Sequence, residues 1–197
     1  MEINFITTNK LKFEIAHNLL KKYGIKVIQR YYEFDELQSL SVEEVAVNKA
    51  KQYMNLTKKP FMVSDDGFSI NALNGFPGAL LKPVMSTIGD KKLLDTLNGE
   101  KNRSAVFINA LAFADPKNKL LKSFLTRTNG KIPFKPMGSG DFGWSIGRIF
   151  IADGWEKTLS QLNQKERDIF WKHYSSNLPY IKLAKWLIKT KQINSVE

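Results

Sequence analysis

The chain has no cysteine and only two histidines, His17 and His173, among its 197 residues. The first absence excludes a disulfide framework and any thiolate metal site. The second leaves too few imidazoles for a histidine-rich zinc centre. No apolar run is long enough to span a membrane, and acidic Glu2 is not followed by the apolar stretch of a secretory leader. A cytoplasmic protein without a membrane partner is therefore expected. Zinc-finger spacing, a basic zipper and an RNA-recognition signature are also missing, so nucleic acid is not the expected partner.

What is present points to a folded enzyme-sized globule. Hydrophobic residues make up 43% and aromatics 12%, which excludes disorder, and the length suits one domain over residues 1–197. The formal charge of +11 favours an anionic partner, for which a small polyphosphate is the alternative to nucleic acid. The lysines are scattered along the chain rather than gathered in a tail.

Strands and helices alternate. Ile3 to Thr7 reads as a buried strand, followed at once by a helix with Leu11, Ile15, Ala16, Leu19 and Leu20 at helical spacing and Gly24 as its stop. Ile25–Ile28 is a second strand, and Ser41 opens a second helix reaching to about Leu56. Phe61–Val63 reads as a short strand ending in Ser64-Asp65-Asp66-Gly67. A helix is expected over Lys91–Leu97, starting there or a turn or two earlier. Strands follow over Ala105–Ala114 and Leu120–Thr128, joined by the turn Asp115-Pro116-Lys117-Asn118. Pro133–Gly143 is a Gly/Pro-rich loop, and Arg148–Ala152 a last strand. Helices around Lys165–Lys172 and Tyr180–Lys191 close the chain, separated by Pro179. The pattern implies a mixed α/β sheet carrying helices.

Four junctions carry chemistry. Thr7, Thr8, Asn9 and Lys12 stand where the first strand becomes a helix, and a helix N-terminus suits phosphate through its unpaired N–H groups and partial positive charge. Asn9 serves equally as a simple cap. On the second helix Glu44 and Lys49 are five apart, about 140° around the axis. Glu44 is either a metal ligand or the partner of Ser41 in a capping box. Asp65 and Asp66 stand at a strand end, where one carboxylate can hold Mg²⁺ or orient a water for attack on phosphorus. Alternation sends adjacent side chains to opposite faces, so only one of the two is expected in a given cleft. Lys82 is a further phosphate contact or a surface lysine.

In this order and spacing the motifs resemble the inosine triphosphate pyrophosphatases, which hydrolyse non-standard purine nucleoside triphosphates to the monophosphate and pyrophosphate. Thr7, Asn9 and Lys12 meet the opening motif. Glu44, Ala46, Lys49 and Ala50 meet the second-helix motif, and Asp65 through Asn71-Ala72-Leu73, Gly75, Pro77 and Gly78 meet the third. Asp141-Phe142-Gly143-Trp144 and Asp153–Thr158 match later stretches. The resemblance implies an elongated two-lobed α/β fold around a long mixed sheet, with the active-site cleft between the lobes, and a homodimer. It also implies Mg²⁺ held by Glu44 and Asp65, with Asp65, Lys12 and Lys49 catalytic. Thr7, Thr8, Asn9, Lys12, Lys49 and Lys82 would bind the triphosphate, and Phe142, Gly143, Trp144, Ser145, Lys172 and His173 would surround the base.

The departures cluster at the base end. The family's first strand-end acid is replaced by Ser64, and Asp66 takes the place of a small hydroxyl residue. Ser145 stands where the family has an aspartate, and two extra residues follow near Gly147-Arg148. Trp171-Lys172-His173 aligns with a Ser-His-Arg signature associated with the purine 6-oxo group, and His173 is either a base contact after a one-residue shift in its helix or a surface histidine. The phosphate-binding residues survive while the base-reading ones have changed, which implies an active pyrophosphatase with altered base preference. Phe142, Trp144 and Trp171 are candidate stacking partners or core residues. The alternative is a nucleotide-binding or regulatory protein that keeps the fold without turnover.

Overall fold

The computed structural model describes residues 1–139 and 145–190. Asp141, Phe142, Gly143 and Trp144, all singled out above, lie outside the described residues. In chain order the elements are β1 (Glu2–Ile6), α1 (Lys10–Lys21), β2 (Lys26–Arg30), α2 (Val42–Met54), β3 (Phe61–Ile70), β4 (Pro77–Gly78), α3 (Leu81–Thr87) and α4 (Gly89–Asp95). Then come β5 (Ser104–Asp115), β6 (Leu120–Lys131), β7 (Ile151–Ala152), α5 (Gln164–Ser176) and α6 (Pro179–Lys189).

Among the described residues the strands form one mixed sheet in the order β2-β1-β3-β5-β6-β7, with β4 on β3. The β1–β2 and β1–β3 pairs are parallel and the remaining pairs antiparallel. Period-two alternation divides the core. Phe61, Val63, Ala110, Ala112 and Ala114 pack on one face with Val42, Ala46 and Ala50 of α2. Met62, Leu111 and Phe113 face the other way and meet α1, α5 and α6. Small alanines on β5 let α2 lie close to the sheet, and phenylalanines fill the wider opposite side.

The structure corrects several expected boundaries. β3 does not stop at Val63: it continues through Ser64-Asp65-Asp66-Gly67, because β5 pairs with every residue from Phe61 to Ile70. A long ladder overrides a tetrapeptide that reads locally as a turn. The helical region before residue 97 is two short helices, broken at Ile88-Gly89, where Gly89 has φ 70°. The expected strand over Arg148–Ala152 shrinks to Ile151–Ala152. Pro179 opens α6 at its first turn, where its missing N–H costs nothing.

Two glycines fix the approach of the loop between β2 and α2. Gly78 has φ 57°, and a Cβ there would lie 2.3 Å from the Leu40 carbonyl oxygen. A Cβ on Gly67 would lie 2.4 Å from the Val42 side chain. The loop and the start of α2 thus sit directly against β3 and β4, and Ala79 N–H donates to Leu40 O at 3.1 Å.

Candidate active site

β3 outruns its parallel neighbour. β1 pairs with it only at Phe61 and Met62, and β4 takes up pairing at Phe68 and Ser69. Between these points, Val63 to Gly67 has β5 along one edge and no strand along the other among the described residues. Brought to a strand edge, side chains from both faces reach the same opening. A cavity of about 1000 Å³ lies there, and Ser64, Asp65 and Asp66 all line it. The expectation that only one aspartate enters the cleft is therefore wrong, because the missing neighbour strand removes the wall that would separate them.

Each aspartate meets its own lysine. Lys12 Nζ lies 3.0 Å from Asp66 Oδ2, and Lys49 Nζ lies 3.0 Å from Asp65 Oδ1. Lys49 also reaches Glu36 Oε1 at 3.1 Å, on the loop before α2. Lys49 is 8% exposed, so it is a buried cation held by carboxylates rather than a surface lysine. Burial disfavours the Lys12 ammonium, but Asp66, Asp65 and Glu36 outweigh it and hold its pKa above the ordinary lysine value. Burial raises the Asp65 carboxyl, and the Lys12 and Lys49 charges oppose this without cancelling it.

Behind Asp66 runs a neutral chain. Asn109 Nδ2 donates to Asp66 Oδ1 at 2.8 Å, and the Tyr174 hydroxyl donates to Asn109 Oδ1 at 2.8 Å. Burial and the Asp66 charge push the Tyr174 phenol well above its ordinary value, and they raise Tyr180 as well, so both remain neutral. Trp171 stacks on Tyr174 at 5.5 Å between centroids with a 22° tilt, and both line the cavity. Phosphate-seeking groups and aromatic surface thus share one enclosure.

Of the residues expected in the site, Asn9, Lys12, Lys49, Asp65, Lys82 and Ser145 line this cavity. Asn9 is also the cap of α1: its side chain accepts from Lys12 N–H at 3.0 Å. Others stand elsewhere. Thr7 Oγ1 is taken by the Asn9 N–H at 3.1 Å, and Thr8 is exposed outside the cavity. Glu44 accepts from the Ser39 hydroxyl at 2.7 Å, its N–H donates to Ser41 Oγ, and it is not among the residues that line the cavity. Half of the capping box is therefore present. Lys172 and His173 are exposed, because α5 turns Phe170 and Tyr174, four apart, toward the core. Phe142, Gly143 and Trp144 lie outside the described residues.

Glu36, Asn109, Tyr174 and Tyr180 were missed. Glu36 sits in a loop with no periodicity, and Asn109 reads as an ordinary strand position. Only the i, i+4 pair Phe170 and Tyr174 gave a readable signal, and that signal says core. For a divalent cation, no cluster of three or more acidic or imidazole side chains converges among the described residues. Asp65 and Glu36, the two carboxylates that meet at Lys49, both line the cavity. That donor set fits Mg²⁺, which takes one or two carboxylates and completes its shell with water and phosphate oxygens.

The family model described as the Ham1 family matches residues 3–173. The chain belongs to the Ham1 family. A dITP/XTP pyrophosphatase of Thermococcus kodakarensis is 36% identical over 168 residues, covering 85% of this chain and 89% of that protein. One from Methanosarcina mazei is 37% identical over 167 residues, with 85% and 88% covered. The crystal structure of a nucleoside-triphosphatase/dITP/XTP pyrophosphatase from Mycobacterium abscessus aligns with TM-score 0.74 at 26% identity, over 89% of this chain and 95% of that one. The Staphylococcus aureus Ham1 protein shares the fold, with TM-score 0.75 at 22% identity over 97% of this chain and its own full length. The Ham1 match contains every charged group of the cavity from Lys12 to Asp66. Tyr180, on α6, lies beyond it.

Proposed function

We propose that this Ham1 protein is a Mg²⁺-dependent nucleoside triphosphate pyrophosphatase, cleaving the α–β phosphoanhydride of non-standard purine nucleoside triphosphates. The observation that carries this reading is the meeting of Lys12, Lys49, Asp65 and Asp66 in one cavity with an aromatic wall. The kinship with dITP/XTP pyrophosphatases supports the substrate class.

In this mechanism Lys12, Lys49 and exposed Lys82 neutralise the triphosphate and hold it in line. Asp65 accepts a proton from a water whose oxygen bonds to the α-phosphorus, as the bond from that phosphorus to the bridging oxygen breaks. Pyrophosphate leaves and the nucleoside monophosphate remains. A carboxyl lifted by burial suits the proton-accepting role, since its basicity exceeds that of a solvated aspartate. Asp65 and Glu36, which share Lys49, are the residues we assign to the ion. Mg²⁺ when bound offsets phosphate charge and polarises the reacting oxygens.

The base lies against Trp171 and Tyr174, with Ser145 at the rim. Exposed Lys172 and His173 do not take part, so base preference departs from one set by a Ser-His-Arg motif. The protein acts in the cytoplasm as a homodimer. No helix among the described residues is long and apolar enough to cross a membrane. Light scattering tests the dimer.

The function is tested by pyrophosphate release, with and without Mg²⁺, from ITP, dITP, XTP, ATP, GTP and the pyrimidine triphosphates. Mg²⁺-dependent turnover of ITP or XTP supports the full reading. A different preferred base keeps the chemistry and overturns the substrate. Nucleotide binding without turnover of any of them establishes the non-catalytic alternative.

A further inference from the structure

Asp66 is a neighbour of the proposed base but is not equivalent to it. Its carboxylate is gripped at both oxygens, Oδ1 by Asn109 Nδ2 at 2.8 Å and Oδ2 by Lys12 Nζ at 3.0 Å. Asn109 is 6% exposed and its amide has one workable orientation. An ionised carboxylate only accepts, so the NH₂ must face Asp66 and the carbonyl is left for the Tyr174 hydroxyl. That hydroxyl donates at 2.8 Å, in a fully buried contact. The result is a one-directional line from α5 through β5 and β3 to α1.

We propose that Tyr174 and Asn109 are positioning residues: through Asp66 they aim the Lys12 ammonium at the substrate phosphates. Lys12 has a flexible stem and an ammonium with no preferred direction. Its placement on the first turn of α1 brings it to the cavity without fixing where the charge points. Asp66 supplies that direction only while its own rotamer is held, and Asn109 holds it at Oδ1. The Tyr174 hydroxyl in turn stops the amide from flipping. A flipped amide would set a carbonyl oxygen against the carboxylate. Because Tyr174 also carries Trp171 on its ring, the line begins at the aromatic wall and ends at the phosphates.

This inference rests on the pyrophosphatase reading, and the experiment separates the two. Steady-state pyrophosphate release is measured for the wild type, Tyr174→Phe, Asp66→Asn and the double variant, with thermal melts to establish folding. Tyr174→Phe keeps the ring and its packing and removes one hydroxyl. Its expected effect is a fall in kcat/KM of roughly tenfold, carried mainly by kcat, since a hydrogen bond supporting a charged group is worth about 1.5 kcal/mol. Asp66→Asn is expected to lose more, and the double variant no more than Asp66→Asn alone. Additive losses, or an unchanged Tyr174→Phe enzyme, overturn the inference while leaving the function intact. A folded wild type without turnover overturns the function itself.

Discussion

Asp65 and Asp66 are adjacent in β3, yet their carboxylates bind lysines from different helices on opposite faces of the sheet, Lys49 of α2 and Lys12 of α1. Strand alternation separates the two side chains, and the edge that no strand covers among the described residues lets both return to one cavity. The pair thus makes two separate anion–cation contacts, coupled through the Lys12 charge that also acts on Asp65, rather than a carboxylate dyad sharing a proton.

Unequal losses on neutralising each acid follow from this. Asp65→Asn is expected to lower kcat by at least about a hundredfold, as removal of a proton acceptor does. Asp66→Asn, which loosens Lys12 but leaves the acceptor, is expected to lose about tenfold to thirtyfold. Equal losses in pyrophosphate release would remove the distinction.

The acid limb of the rate profile reports Asp65. Burial lifts its carboxyl above the ordinary aspartate value of 3.8 while no cation is bound, so with Mg²⁺ held below saturation kcat/KM is expected to rise with pH along a limb centred above that value. A limb at or below it, measured on the free enzyme over a pH series, would take the base role from Asp65.

Stability and catalysis are opposed at the same residue. The folded state holds the Asp65 proton more tightly than the unfolded chain does. Its ionisation therefore costs stability as pH rises through the folded-state value. Asparagine never ionises, so Asp65→Asn is expected to melt higher than the wild type near neutral pH. The difference should vanish in acid, below the unfolded carboxylate range. Melting curves at pH 3 to 8 decide it; a lower Tm at neutral pH would show that the contact with Lys49 outweighs burial.

Lys49 and Lys82 should part in the opposite way. Lys49→Met strands the buried Asp65 carboxylate and is expected to cost roughly 2–4 kcal/mol in denaturant titrations as well as activity. Exposed Lys82→Ala should stay within about 0.5 kcal/mol of the wild type and raise KM for the triphosphate severalfold. Comparable destabilisation by both would contradict the assigned burial.

Gly78→Ala tests the loop that carries Glu36. The added Cβ would meet the Leu40 carbonyl oxygen at 2.3 Å, in a backbone conformation that already disfavours a side chain. We expect a loss of more than about 2 kcal/mol, read from chemical unfolding, with weakened Mg²⁺ dependence in the folded fraction.

Much of this was readable in the chain. The β–α–β alternation and the helix at Ser41 follow from periodicity, and the charged set Lys12, Lys49, Asp65 and Lys82 follows from the family resemblance. What failed shares one cause: local chemistry was read without its tertiary partner. Ser64–Gly67 has turn residues, but β5 supplies a ladder that keeps it extended. Glu44 has the spacing of a ligand, but its helix starts by satisfying its own terminus with Ser39 and Ser41. His173 is the surface histidine that its charged helix allowed for, while Tyr174, a single helical step of about 100° on, faces inward and was not singled out. Asn109 carried no signal, because a buried strand amide is visible only when its partners are.

The edge of β3 that no strand covers among the described residues has a consequence for solubility. Bare strand edges invite another chain to add itself, and Phe61-Met62-Val63 is the kind of apolar run that such pairing propagates. Here the open stretch directly after it is short and bears Asp65 and Asp66, with Lys12 and Lys49 standing over it. The charges proposed to hold a triphosphate also act as gatekeepers against aggregation, so variants that strip them together trade catalytic knowledge for a protein that clumps during folding.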